Sequence, residues 1–260
     1  MNKITAPLVL TDLDDTLFQT LRKIPEGIDR ETLTPASWLK DGSVSGYMTQ
    51  LQSLFHGWLA AGEVVPVTAR TKAVLDRTFL KGCGRAICSH GGLILDKEGS
   101  PERAWTEHLS SLDTASPVPV SEAYRMLEER LAEHGDLFRY WMVSEEGVNL
   151  YVSVKQNYAV DGHPSNRLHE VAAELARLLP GDWKLHRNGN NAAFMPSWLG
   201  KRQAVEHLLA GVRHDDPLRP VIGFGDSTSD LPFMGLCDYL MTPSRGQIAA
   251  ILGAASADHF

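Results

Sequence analysis

An apolar run, Leu8-Val9-Leu10, passes through Thr11 into three carboxylates, Asp12, Asp14 and Asp15. Strand side chains alternate with period two, so Asp12 and Asp14 project to one side at the carboxyl end, where open α/β sheets bind ligands. Two carboxylates aimed at one place need a cation or a shared proton, because like charges in contact do not both stay ionised unaided. An Asp-rich turn is the plainer alternative. The same device recurs later: Val221-Ile222-Gly223-Phe224 runs into Gly225-Asp226, with Asp230 one helical turn further on. A chain built this way is expected to bring two strand ends to one place. Strands over 63–68 and 85–89, with a helix predicted over 71–80 between them, supply the βαβ alternation of an α/β fold: a parallel sheet with helices on both faces.

The order of these groups carries a resemblance. Asp12 and Asp14 come first, then Thr68-Ala69-Arg70 after the strand Val64-Val65-Pro66-Val67, then Gly200-Lys201 opening an amphipathic helix, then Asp226 and Asp230. In that order they resemble the four motifs of the haloacid dehalogenase superfamily of phosphohydrolases. The segment Phe194 to Lys201 resembles the third motif of sucrose-phosphate phosphatase and its relatives. The resemblance implies a Rossmann-like core and a Mg2+-dependent phosphatase. Asp12 would be the nucleophile that forms an aspartyl phosphate, and Asp14 the general acid and base. Mg2+ would rest on Asp12, Asp226 and the backbone carbonyl of Asp14, with Asp230 either reaching it through water or orienting Lys201. Thr68, the backbone of Ala69 and Lys201 would hold the substrate phosphate, while Arg70 would contact phosphate or substrate, or form a structural ion pair. Asp15 stands where the family more often has Gly or Asn, Ala69 where it often has Gly, and Ser229 where it usually has Asn. Asp15 reads as a turn or capping residue.

Between the second and third motifs the character of the chain changes. A helix over 121–134, alternating runs over 137–143 and 148–154 joined by Ser144-Glu145-Glu146-Gly147, a helix from Ser165 to Leu179, and strands near 183–186 and 192–195 predict an antiparallel α+β block. This resembles the type IIB cap of the superfamily, giving a core over 1–99, a cap over 100–190 and the rest of the core over 191–260. Arg187, Asn191 and His186 are candidate cap contacts for substrate. For His90 and His163 a surface or satisfied-core role is the stronger reading. The stretch 19–46 reads as a long irregular loop with a functional role. The spacing of Tyr47, Leu51, Leu54, Phe55, Trp58 and Leu59 predicts a helix ending near Gly62 whose aromatic stripe packs into the core.

With 260 residues, 43% of them hydrophobic and 22% charged, the chain has the make-up of an ordinary globular protein. A formal net charge of −7 argues against nucleic-acid binding through phosphates. Cys83, Cys88 and Cys237 suit neither a disulfide framework nor a zinc site, and no apolar run reaches membrane-spanning length. A cytoplasmic enzyme acting on a small phosphorylated metabolite, a sugar phosphate or sugar-acid phosphate, is the expectation, with no nucleic-acid or membrane partner. The oligomeric state, monomer or dimer, stays open. The rivals are a phosphomannomutase-like phosphotransferase and a non-catalytic binding or regulatory protein of the same fold.

Overall fold

The computed structural model describes residues 6–157 and 166–257. These form two compact units, one from residues 1–102 and 201–260, the other from residues 103–200.

In the first unit, four short strands make a parallel sheet: β1 (Leu8–Thr11), β4 (Glu63–Pro66), β11 (Val221–Phe224) and β12 (Tyr239–Met241), in the order β12-β11-β1-β4. β1 is buried along its whole length, as the unbroken apolar run predicts for a central strand. Alternation assigns the two faces. Val9, Ile222 and Phe224 share one of them, where Phe55 of helix α1 (Gln50–Leu59) packs edge-on against Phe224 at 5.6 Å. Gly223 faces the other side. A Cβ there would lie 2.9 Å from the Cα of Met234, so the missing side chain lets the short helix Leu231–Met234 press against the sheet. β5 (Ala86–Cys88) joins the sheet through a parallel bridge between Val67 and Ile87 and pairs with β6 (Leu93–Leu95).

Three local expectations are corrected. The stretch 19–46 is not structureless: β2 (Thr34–Trp38) and β3 (Val44–Met48) form an antiparallel hairpin. Tyr47 therefore lies in a strand, and α1 starts after Thr49, whose side chain and that of Gln52 form a reciprocal capping box. Nor is the stripe on α1 core packing, since Leu51, Leu54 and Trp58 are 76%, 74% and 63% exposed; only Leu59 is buried, with Phe55 partly so. Finally, the helix expected over 71–80 stops after Lys72–Leu75. The residues beyond it serve the hairpin, because the Arg77 carbonyl accepts Trp38 N–H at 2.8 Å and Phe79 N–H donates to the Ala36 carbonyl at 2.9 Å.

At the start of β4, Glu63 accepts hydrogen bonds from Arg85 at 2.9 Å and Arg219 at 2.8 Å. Burial raises its pKa, but the two guanidinium groups outweigh that and hold the carboxyl below its ordinary value. Its stabilising contribution is therefore full above the unfolded value of 4.5 and is lost as pH falls through the depressed folded pKa. Glu63→Gln should cost about 1–3 kcal/mol in urea unfolding at neutral pH. That difference should shrink in acid; a gap that stays constant there would show that the ion pairs contribute nothing.

The second unit is an antiparallel sheet, β7 (Phe138–Glu145), β8 (Val148–Gln156), β10 (Asn191–Met195) and β9 (Lys184–Asn188) in that order, with helices Arg103–Ala115, Val120–Leu131 and Asn166–Ala176. Leu127, Leu131, Val152, Val154, Leu168, Ala172, Ala192 and Phe194 fill its core. The β7–β8 turn is Glu146-Gly147 with φ of 49° and 80°, the two positive values of a type I′ hairpin. β10 belongs to this sheet and not to the second part of the core, because Ala192 and Phe194 find their apolar partners here. The expected start of the third helix at Ser165, and His163, lie outside the described residues. Among the described residues, no helix is long and apolar enough to cross a membrane.

Candidate active site

The adjacent strands β1 and β11 end side by side, with Asp12 N–H donating to the Phe224 carbonyl at 2.8 Å. Their carboxyl ends therefore deliver Asp12 and Asp226 to one place. Asp230 joins them, and one carboxylate oxygen from each of the three lies within 4.8 Å of the others. Asp230 reaches this point because residue 225 is glycine. A Cβ at Gly225 would sit 2.6 Å from that of Asp230, so a side chain there would push the carboxylate away.

Lys201 supplies the cation. It opens the helix Lys201–Asp215, an end where the helix dipole disfavours positive charge. Two carboxylates offset that cost: its ammonium donates to Asp12 Oδ1 at 2.6 Å and to Asp230 Oδ1 at 2.7 Å. Asp230 Oδ2 accepts from Ser227 N–H at 3.2 Å and from its hydroxyl at 3.0 Å. Asp230 thus braces Lys201, one of the two roles its position allows. Burial works against the ammonium, but the Asp12 and Asp230 charges keep its pKa above the ordinary value.

The acids are under strain of their own. Burial, with Asp230 and Asp14 nearby, pushes Asp12 up to about 7 although Lys201 pulls the other way. Burial, then Asp230 and Asp15, push Asp226 up to about 6. A single ammonium does not balance this surplus, and a hard divalent cation on oxygen ligands fits it. Thr16 was not singled out by sequence reasoning, although it completes the D-x-D-x-T pattern. It is 3% exposed, and its hydroxyl lies 3.3 Å from both Asp12 Oδ2 and Asp226 Oδ1.

Asp14 projects beside this cluster and is gripped by Arg70. The Arg70 Nε and Nη2 donate to its two oxygens, each at 2.7 Å. Of the roles open to Arg70, the geometry provides the ion pair. Thr68 is 1% exposed and its Oγ1 accepts Arg70 N–H at 3.1 Å, which leaves its own proton to donate. Ala69 is not among the residues with positive φ, so it tolerates the place where glycine is common. Asp15 takes a turn role: its φ is 66°, a left-handed conformation that Gly, Asn and Asp tolerate, and it pairs with Lys23. Ser89 and His90 also have positive φ, 52° and 58°, and both are buried in the turn between β5 and β6, where His90 N–H donates to the Thr68 carbonyl at 3.1 Å.

In the second unit, Arg187 is opposite Ala192 across the β9–β10 pair and Asn191 is opposite Asn188. Alternation puts Arg187 and Asn191 on opposite faces of that sheet. Asn191 Oδ1 accepts from Ser153 Oγ at 3.0 Å. The structure does not bring the two together.

No protein-family model and no curated protein matches the sequence. Solved structures do match in fold. The C-terminal domain of C. albicans trehalose-6-phosphate phosphatase is 13% identical, with 89% of this chain and 73% of that one covered and a TM-score of 0.56. The sucrose-phosphatase of Synechocystis sp. PCC6803, in complex with sucrose and phosphate, is 13% identical over 97% of this chain and 98% of its own, with a TM-score of 0.51. A Thermoplasma acidophilum protein is 17% identical over 95% and 89%, with a TM-score of 0.54. The chain shares the fold of these solved structures, two of which are named for trehalose-6-phosphate phosphatase and sucrose-phosphatase.

Proposed function

We propose that this protein is a Mg2+-dependent phosphatase that hydrolyses a small phosphorylated metabolite, a sugar phosphate or sugar-acid phosphate, through a phosphoryl group carried on Asp12. The observation that carries the reading is the convergence of Asp12, Asp226, Asp230 and Lys201 at the ends of β1 and β11, with Asp14 held beside them. The neighbours named for trehalose-6-phosphate and sucrose phosphatase agree with a phosphorylated sugar as substrate class.

Asp12, Asp226 and the Asp14 carbonyl would hold Mg2+, which when bound neutralises phosphate charge and the acidic surplus. Thr68, the Ala69 backbone and Lys201 hold the phosphate oxygens. Asp12 attacks phosphorus in line with the leaving oxygen; the Asp12–phosphorus bond forms as the ester bond breaks, and Asp14 gives that oxygen a proton. Asp14 then takes a proton from water as the water oxygen attacks phosphorus, releasing phosphate and restoring Asp12. Asp230 and Ser227 act by fixing Lys201, and Thr16 by fixing the Asp12 and Asp226 carboxylates.

The test is phosphate release across a library of phosphorylated metabolites with Mg2+, beside an EDTA control. Release of inorganic phosphate from a subset, lost in EDTA and restored by added Mg2+, is the expected result. Release that EDTA leaves unchanged would remove the metal from the reading, and a phosphorylated product in place of free phosphate would favour the phosphotransferase.

A further inference from the structure

The Arg70 guanidinium is itself held, and the group that holds it lies in the hairpin. Arg70 Nη1 donates to Ser37 Oγ at 2.9 Å, and its carbon sits 5.0 Å from the centroid of the buried Phe18 ring. Ser37 is fully buried, and its hydroxyl lies 3.0 Å from that of Ser45 on the facing strand. The backbone on both sides of Ser37 is pinned, through the Ala36 carbonyl and the Trp38 N–H, to residues 77 and 79. Space around it is tight: a Cβ at Gly46 would lie 2.8 Å from the Phe18 ring and 3.1 Å from Ser37 Cβ. The hairpin is therefore a fixed seat for one hydroxyl.

A guanidinium is planar, so anchoring one nitrogen and one face sets the direction of the rest. With Nη1 on Ser37 and the guanidinium carbon over the Phe18 ring, Nε and Nη2 address Asp14 as a fork. We propose that Ser37 is a positioning residue for the general acid, acting through Arg70 to hold Asp14 in one orientation. Each Asp14 oxygen gives one lone pair to Arg70 and keeps another for the transferred proton. The Asp14 side chain is 45% exposed against 17% for Arg70, so the acid is gripped and still accessible. This inference rests on the reading of Asp14 as acid and base.

The test is single-turnover phenol release by the full chain with Mg2+, from phenyl phosphate, whose leaving group needs a proton, and 4-nitrophenyl phosphate, whose leaving group does not. Ser37→Ala should slow phenyl phosphate about tenfold, a fraction of what the acid itself supplies, and change 4-nitrophenyl phosphate less than about twofold. In an Asp14→Asn background, Ser37→Ala should have no further effect, because the group it positions is gone. Equal slowing of both esters, or a Ser37→Ala effect that persists without Asp14, overturns the inference. Should Ser37→Ala not fold, Ser37→Cys fills the same space with a weak acceptor and is read by the same two criteria. Asp14→Asn alone separates the two levels. If it slows both esters equally, the acid role fails; if it is selective and the Ser37 variants are not, only the positioning role fails.

Discussion

Asp12→Asn should reduce phosphate release by at least about 10⁴-fold, the scale seen when a covalent nucleophile is removed. An amide oxygen is a poor nucleophile, and the substitution also removes the carboxylate that Lys201 contacts at 2.6 Å. The shape is nearly unchanged, and the fold should survive: Asp12 N–H still bonds the Phe224 carbonyl, and β1 keeps both its neighbours. The measurement is steady-state release from the best library substrate, with circular dichroism to confirm folding. A folded Asp12→Asn protein that retains wild-type turnover would sink the assignment of the nucleophile.

Asp14→Asn should act differently. Metal binding, which in the proposed reading uses only the Asp14 backbone oxygen, should persist, while proton transfer to the leaving group and from water should be lost. The expected loss is about 10²–10⁴-fold with phenyl phosphate, the usual worth of a positioned acid or base. Single-turnover release from 4-nitrophenyl phosphate should suffer much less. Calorimetric titration with Mg2+ checks the other half: binding near that of the wild type supports the backbone role, and abolished binding contradicts it.

The parts legible in the sequence were those whose physics is local. β1 and β11 show as apolar runs because they are central strands with neighbours on both sides, and the carboxylates at their ends follow from the strand period. Lys201 is marked less by its place at a helix start than by its context, because the segment Phe194 to Lys201 resembles a motif segment. What the sequence concealed depends on distant partners. The hairpin 34–48 has few large alternating side chains: Gly46 leaves room for the Phe18 ring and Ser37 bonds Arg70, and nothing within Thr34 to Met48 indicates a guanidinium 33 residues away. Helical spacing on α1 suggests burial, yet Leu51, Leu54 and Trp58 are exposed. Periodicity reports a face and not what covers it. A boundary at 190/191 cuts off β10, although the sequence already groups the strand near 192–195 with the α+β block; Ala192 and Phe194 lie in the core of the second unit, and β10 packs against the helix Asn166–Ala176.

β1 sits between β4, which follows it closely in the chain, and β11, which comes near the other end. During synthesis this imposes an order. β1 and β4 emerge early and can pair, but the other edge of β1 stays open while the whole second unit is made. The Thr16–Asp226 contact closes a loop of 210 residues. Contacts of such separation are reached slowly, and an open apolar strand edge invites wrong partners until they are made. A half-made chain therefore carries Asp12 and Asp14 with neither Lys201 nor Asp226, and is both inactive and exposed to aggregation. Activity and protection should arrive together, when β11 takes its place beside β1.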